Sequence, residues 1–231
     1  MRTPAFAPRA VFFDVDGVLV DSLQAHLDFC ARKARDFGLD LAMPDAPTLR
    51  ARVHAGTVVS PMQKFFLAVG FPPELIDAAD RDYIRDFSRQ HKPGLFAGIP
   101  LLLRSLADAK ITLGIVTANT RRNVENSMGA LISLIEPSCW FTIDFPRANM
   151  TKAEALESAV ATLGLQPDEL LFVGDQIKDY EAALSARTRF LGVTYGWGIC
   201  SDDPRFPVAH SPEEAATFIA AATPARGSST G

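Results

Sequence analysis

Short apolar runs alternate with stretches of helical spacing along most of this chain, and the alternation predicts its fold. Runs rich in Val, Ile, Leu and Phe predict buried strands at residues 10–14, 111–116, 140–143, 169–173 and 189–193. After the first of these, apolar residues recur at helical spacing over residues 99–109, 120–132, 152–163, 178–186 and 212–221. Regular alternation of strands and helices is typical of a parallel sheet with helices on both faces. We therefore predict an α/β protein with a doubly wound parallel sheet.

One long segment interrupts the alternation. A helix is expected to begin near Asp21, with Asp21 or Ser22 as its N-cap, and to end at Gly38. Residues 39–94 contain no convincing strand, only helical patches at 61–69 and 74–89, and the turn signal Pro93-Gly94 closes the segment. We predict a core of residues 1–20 and 95–222, a helical cap of residues 21–94 inserted after the first strand, and a flexible tail of residues 223–231.

Composition narrows the class of protein. Hydrophobic residues make up 48% of the 231 residues and the formal net charge is -4, which argues against disorder and against a basic nucleic-acid-binding surface. No apolar run reaches about 18 residues, so no membrane span is expected, and no signal peptide is visible. Cys30, Cys139 and Cys200 have no metal-binding spacing and are expected to be reduced thiols in a cytoplasmic protein. The sequence does not indicate an oligomeric state.

Polar groups follow three of the predicted strands. Asp14 and Asp16 follow the first strand, Thr117 follows the second, and Asp175 follows the strand at 169–173. Ligands of open parallel sheets bind beyond the carboxyl ends of the strands. We therefore expect these residues to share one crevice.

The residue types in this crevice favour Mg²⁺ and phosphoryl chemistry. The carboxylates of Asp14 and Asp175 and the backbone carbonyl of Asp16 are hard oxygen ligands, which Mg²⁺ prefers. A carboxylate held beside Mg²⁺ can attack phosphorus and form an aspartyl phosphate. Thr117 offers a hydroxyl group and Lys152 a positive charge to an anionic oxygen. Asp179, one helical turn after Asp175, could order the water shell of the metal or hold Lys152.

The motifs D-V-D-G-V-L-V-D-S (14–22), V-T-A-N (116–119), Lys152 and G-D-Q-I-K-D (174–179) resemble, in order and separation, the four signatures of the haloacid dehalogenase-like hydrolase superfamily. The inserted helical segment resembles the cap of the subgroup that includes phosphoglycolate phosphatase and β-phosphoglucomutase. The resemblance implies a Rossmann-like core, a Mg²⁺ cofactor and hydrolysis of a small phosphorylated metabolite.

The resemblance also implies a role for each residue. Asp14 would be the nucleophile, and Asp16 would protonate the leaving alcohol and then deprotonate water. The dehalogenases of the family lack an acid at the position of Asp16, so its presence favours phosphoryl transfer. The implied phosphoryl-binding residues are Thr117, Ala118, Asn119 and Lys152, and the implied metal-binding residues are Asp14, Asp16, Asp175 and Asp179.

Several positions are less well defined. His54 and Gly56, with Arg50 and Arg52 nearby, fall where relatives place a substrate-specificity loop, but the same residues also suit a solvated turn. Trp197 follows the last strand and could form a lid or pack a loop. Lys152 is followed by Ala153-Glu154 where many relatives have a Pro-rich continuation, and Gln176 replaces a small hydroxyl residue.

Other functions also fit parts of this pattern. A phosphomutase would use the same aspartyl phosphate but return the phosphoryl group to a sugar. A receiver-like signalling domain shares the Asp, Thr and Lys types, but lacks a cap and places its acidic pair well before the phosphorylated Asp. A scaffold protein that has lost activity is disfavoured by the intact Asp14, Asp16 and Asp175. The substrate stays open among a small sugar phosphate, a phosphoglycolate-like acid and a nucleotide monophosphate.

Overall fold

A parallel sheet forms the centre of the molecule in the computed structural model, which describes residues 8–148 and 150–222. The strands of this part of the chain are β1 (Ala10–Phe13), β2 (Thr112–Val116), β3 (Trp140–Phe141), β4 (Leu170–Gly174), β5 (Arg189–Val193) and β6 (Val208–Ala209). Its α-helices are α1 (Leu23–Asp36), α2 (Ala46–His54), α3 (Met62–Ala68), α4 (Ile76–Gln90), α5 (Ile99–Asp108), α6 (Arg121–Met128), α7 (Lys152–Leu163), α8 (Ile177–Ser185) and α9 (Pro212–Ala222). The predicted tail of residues 223–231 lies outside the described residues.

The strand order is β3-β2-β1-β4-β5-β6, with all neighbours parallel. Strand β1 lies at the centre, and its residues are fully buried because both faces of the sheet are covered. Val11 and Phe13 pack with α5, α6 and α9 on one face, while Ala10 and Phe12 pack with α7 and α8 on the other. The predicted doubly wound parallel sheet is confirmed.

Helices α1 to α4 form a cap with a hydrophobic core of its own. The chain enters the cap and leaves it side by side: the Asp21 backbone N–H donates to Gly94 O at 2.9 Å, and the Phe96 N–H donates to Leu19 O at 3.1 Å. The two linkers therefore form a short antiparallel ladder, so the chain enters and leaves the inserted segment at one place. Within the described residues, no helix combines the length and the hydrophobicity needed to cross a bilayer.

The structure differs from the prediction at several elements. Helix α2 was not predicted, because it contains Pro47 and buries only Leu49, so the sequence shows no apolar stripe. The helix predicted over 120–132 ends at Met128, and Gly129 begins a 3₁₀ segment. The strand predicted over 140–143 has only two residues, and β6, which is also two residues long, was missed because so short a run has no readable period.

Candidate active site

The carboxyl ends of β1, β2 and β4 bring the predicted polar residues together. Phe13 lies in register with Ile115 on one side and with Val173 on the other, so the residues that follow these strands emerge at one edge of the sheet. Asp14, Thr117 and Asp175 are all buried there. The crevice expected from the sequence therefore exists in the fold.

Three carboxylates form a buried cluster at this edge. Oxygens of Asp14, Asp175 and Asp179 lie within 4.8 Å of one another, and each of these residues is at most 5% exposed. The Lys152 ammonium donates to Asp14 Oδ2 at 2.6 Å and to Asp179 Oδ1 at 2.5 Å. With all three carboxyls ionised, the cluster and the ammonium have a net charge of about −2, which one divalent cation would neutralise.

The N-terminal turns of two helices position Lys152 and Asp179. Lys152 is the first residue of α7, which Thr151 and Glu154 close with a reciprocal capping box. Asp179 lies in the first turn of α8, where its Oδ2 accepts from the Gln176 N–H at 3.1 Å. Both departures from the family pattern thus have a structural use, since Glu154 and Gln176 each contribute to a cap.

Burial dominates the electrostatics of the cluster. It raises the pKa of Asp14 to about 6, against the opposing effect of the Lys152 charge. Burial, followed by the charges of Asp179 and Asp14, raises the pKa of Asp175 well above its usual range. For Lys152, burial lowers the pKa, but the charges of Asp14 and Asp179 outweigh it and hold the pKa above its usual range.

A glycine-rich loop closes over Asp175. The backbone N–H of Trp197 donates to Asp175 Oδ2 at 2.6 Å, while Asp175 Oδ1 is buried and has no hydrogen-bond partner within the described chain. Gly17 has a φ of +83°, and a Cβ there would lie 2.4 Å from Asp175 Oδ2. A Cβ at Gly196 would lie 2.4 Å from Gly17 O. Only glycine allows the backbone to approach the carboxylate so closely.

The side chain of Trp197 extends from this loop into the cap. Its indole packs with His26 and Phe65 in the hydrophobic core of the cap. Trp197 therefore joins the two parts of the molecule: its backbone holds a core carboxylate, and its ring is buried among cap residues.

Asp16 lies outside the carboxylate cluster and is held by different partners. Its Oδ1 accepts from Ser22 Oγ at 2.6 Å, and its Oδ2 accepts from Asn119 Nδ2 at 2.7 Å. Ser22 does occupy the N-cap position of α1, but its hydroxyl group binds Asp16 and makes no cap hydrogen bond among the described residues. These contacts fix the direction in which the Asp16 carboxylate points.

The two hydrogen-bond partners of Asp16, Ser22 and Asn119, are linked to each other through cap residues. His26 Nδ1 donates to Ser22 O at 2.7 Å, and His26 Nε2 lies 3.1 Å from the hydroxyl group of Tyr83. The same hydroxyl group donates to Asn119 Oδ1 at 3.3 Å. These contacts form a closed ring, which runs from Asp16 through residues of α1 and α4 to Asn119 and returns to Asp16. His26 could have been found from its i,i+4 spacing to Ser22, but no sequence signal indicated Tyr83.

Cap and core border a small, partly open chamber above these residues. Its volume is about 40 Å³, which is room for only a few water molecules. Asp14, Asp16, Thr117 and Asn119 lie on its core side. A pocket of about 480 Å³ adjoins the chamber, shares Thr117 and Ala118 with it, and is also lined by Lys152.

The sequence of this chain is similar to those of known proteins. A family model described as haloacid dehalogenase-like hydrolase matches residues 11–193. The chain belongs to this family. The hydrolase is 30% identical over 199 residues to the N-acetylmuramic acid 6-phosphate phosphatase of Pseudomonas putida, covering 85% of this chain and 87% of the relative. It is also 30% identical over 200 residues to the phosphoglycolate phosphatase of Synechococcus elongatus, covering 82% and 85% of the two chains.

Solved structures agree with this assignment. A haloacid dehalogenase-like family hydrolase from Streptococcus pneumoniae superposes with a TM-score of 0.73 at 25% identity, covering 90% of this chain and 97% of the other. The family predicted from the four motifs is therefore confirmed, together with its fold.

The predicted specificity loop of this hydrolase lies apart from the carboxylates. His54 and Gly56 are exposed and line a separate pocket of about 250 Å³ with Gln176 and Lys178. Arg52 Nη1 donates to the backbone carbonyl of Ala68 at 3.3 Å. The structure therefore places His54 and Gly56 at the outer edge between cap and core, not in the chamber above Asp14.

Proposed function

We propose that this hydrolase is a Mg²⁺-dependent phosphatase that hydrolyses a small phosphorylated metabolite through an aspartyl phosphate on Asp14. The observation that carries the proposal is the buried cluster of Asp14, Asp175 and Asp179, with Lys152 bonded to two of the three carboxylates. Two relatives named as phosphatases, one of N-acetylmuramic acid 6-phosphate and one of phosphoglycolate, support the same class of reaction.

The residues of the cluster suit Mg²⁺. Asp14, Asp175 and Asp179 offer the hard oxygen ligands that this ion prefers, and the unpartnered Oδ1 of Asp175 has a lone pair available for it. When bound, the ion would offset the negative charge of the transferring phosphoryl group. Asp16 would contribute a backbone carbonyl at most, because its carboxylate is held by Ser22 and Asn119.

In the first step, a carboxylate oxygen of Asp14 attacks phosphorus. The bond between phosphorus and the ester oxygen breaks, and Asp16 gives its proton to that oxygen, so the product leaves as a neutral alcohol. Lys152 and Thr117 bind the phosphoryl oxygens, one through its charge and the other through its hydroxyl group.

In the second step, Asp16 acts as a base. Its carboxylate accepts a proton from water, and the oxygen of that water attacks the phosphorus of the aspartyl phosphate. The bond between phosphorus and the Asp14 oxygen breaks, which releases inorganic phosphate and restores the Asp14 carboxylate. The small volume of the chamber limits the number of competing water molecules.

A screen of phosphate esters tests this function. Full-length protein should release inorganic phosphate from at least one ester in the presence of Mg²⁺, and EDTA should stop the release. Asp14→Asn should abolish turnover while the protein still folds, as a cooperative thermal unfolding transition would show. Asp168→Asn is the matched control, because Asp168 lies on the surface near the start of β4 and should leave turnover unchanged.

Two outcomes would contradict the proposal. Folded wild-type protein that releases no phosphate from any ester would refute the phosphatase. Isomerisation of a sugar phosphate that outpaces its hydrolysis would instead identify a phosphomutase.

A further inference from the structure

The chamber above Asp16 carries negative charge and aromatic surface. Its acidic side chains are Asp14 and Asp16, and its cap wall includes Met62, Phe65 and Tyr83. Among the described residues, neither a lysine nor an arginine lines this chamber. The leaving alcohol of a phosphate ester must lie here, because Asp16 is the group proposed to protonate it.

The nearby lysines do not line the chamber. Lys152 is bonded to Asp14 and Asp179 beside the phosphoryl site. Lys178 is exposed and lines the adjoining pocket together with Glu181. His26 does line the chamber, but Ser22 O and the Tyr83 hydroxyl group engage its two ring nitrogens.

An acidic alcohol would be poorly accommodated in such a chamber. In phosphoglycolate, the carboxylate is attached to the carbon that bears the ester oxygen, so it would lie close to the Asp14 carboxylate and to Asp16, which becomes a second carboxylate once it has given its proton to that oxygen. Two negative charges enclosed together repel strongly, and a buried carboxylate without a cation is costly. Neutral hydroxyl groups would fare better, since Ser60 and Gln176 line the chamber with uncharged hydrogen-bonding groups.

We infer, on the basis of the proposed function, that this hydrolase acts on phosphate esters whose alcohol is uncharged near the ester oxygen, such as sugar or polyol phosphates, and discriminates against phosphoglycolate. A sugar is larger than the 40 Å³ chamber, so its remote part must extend into the adjoining 480 Å³ pocket or displace the cap. N-acetylmuramic acid 6-phosphate, the substrate in the name of one relative, fits this class because its carboxylate is far from the phosphate ester.

A matched pair of substrates tests the inference. 2-Phosphoglycolate and 2-hydroxyethyl phosphate differ only in having a carboxylate or a hydroxymethyl group beside the same ester carbon. We expect kcat/KM to be about tenfold or more higher for 2-hydroxyethyl phosphate. Equal values, or a preference for phosphoglycolate, would overturn the inference but leave the phosphatase assignment intact. Failure of the protein to hydrolyse any ester would overturn the phosphatase assignment itself.

A charge placed in the chamber sharpens this test. Met62 lines the chamber and is only partly buried, so Met62→Lys should be tolerated and should bring a cation close to the leaving alcohol. We expect this variant to raise the ratio of kcat/KM for phosphoglycolate over 2-hydroxyethyl phosphate by about tenfold. Met62→Gln is the uncharged control and should keep the wild-type ratio. Both kcat/KM values come from one preparation of each variant, so their ratio does not depend on the fraction of folded protein. Equal ratios in the two variants would contradict the role of charge.

Discussion

The core wall and the cap wall of the chamber are held together by different forces. On the core wall, the buried carboxylate of Asp14 lines the chamber and is bonded to Lys152, which lies outside the chamber in the same charged cluster as the buried Asp175. On the cap wall, Phe65 and Tyr83 are held by ring packing around His26. Under the proposed function, the core wall would carry out phosphoryl transfer, and the cap wall would surround the leaving alcohol.

Because of this difference, the two walls should tolerate different substitutions. A change on the core wall leaves a buried charge without its partner, which is costly even when the fold survives. A change on the cap wall alters shape and orientation but leaves the charges balanced. We therefore expect changes at the charged wall to have the largest effects on activity and stability, and changes at the aromatic wall the smallest.

The largest effect is expected at Asp16. Asp16→Ala should lower kcat for an alkyl phosphate by about 10²–10⁴-fold, because a poor leaving group needs a proton. The same variant should lose much less with p-nitrophenyl phosphate, whose leaving group is stable as an anion. Steady-state kinetics with both esters measures the difference, and equal losses would contradict the acid role.

Binding of Mg²⁺ should depend on pH. The pKa of Asp14 is raised to about 6, and that of Asp175 is raised well above its usual range. Both carboxyls therefore hold protons in the metal-free native state at a pH where the unfolded chain has lost them, and the stability this provides is present at low pH and is lost as pH rises through the raised pKa values. Mg²⁺ needs the ionised carboxylates, so its stabilising effect should grow over the same range.

Thermal unfolding with and without Mg²⁺ measures this dependence. At about one hundred times its Kd, Mg²⁺ should stabilise the protein by about 2.7 kcal/mol. At a fixed concentration, the Mg²⁺-induced rise in Tm should be larger at about pH 7.5 than at about pH 5.5, because protons compete for the same oxygens. Asp175→Asn should remove most of the Mg²⁺-induced rise and Asp168→Asn none of it. A rise that is the same at both pH values would argue against these carboxylates as ligands.

A methyl group in the glycine loop should disturb the same wall sterically. In Gly196→Ala, the new Cβ would lie 2.4 Å from Gly17 O and 2.5 Å from Asp175 Oδ2, so either the loop or the carboxylate must move. We expect a loss of about 1–3 kcal/mol in the free energy of unfolding, together with weaker Mg²⁺ binding. Gly94→Ala is the matched control, because a Cβ there meets no atom within 4 Å among the described residues. Urea unfolding of both variants decides the question, and equal stabilities would refute the close approach.

The two walls also differ in how far the sequence predicts them. Asp14, Thr117 and Asp175 follow strands with a clear apolar pattern, so the topology of a parallel sheet is enough to place them together. Lys152 and Asp179 came from the motif order of the family, and capping at their helices explains why they reach the same cluster.

No comparable rule predicts which residues of the cap lie close to the site. Tyr83 reaches Asn119 across 36 residues and His26 across 57, and no periodicity links such positions. The backbone N–H of Trp197 binds Asp175 from a loop, and loop geometry has no sequence period to read. The family pattern left His54 and Gly56 open between a specificity loop and a solvated turn, and it gave no sign of helix α2, which places His54 at the outer edge between cap and core.

The smallest effect is expected at Tyr83, where the cap contacts the partner of Asp16. Tyr83→Phe keeps the ring packing with His26 but removes the hydroxyl group that lies between His26 and Asn119. The loss of these neutral contacts should cost about 1 kcal/mol of stability and leave Asn119 less firmly oriented toward Asp16. We therefore expect kcat for an alkyl phosphate to fall by about three- to tenfold while kcat for p-nitrophenyl phosphate stays nearly unchanged. Tyr180→Phe, at a ring that packs against Phe190 and Phe206 away from the chamber, should change neither rate. An equal fall for both esters in Tyr83→Phe would mean that the cap wall affects the nucleophilic step as well, and the division between the two walls would fail.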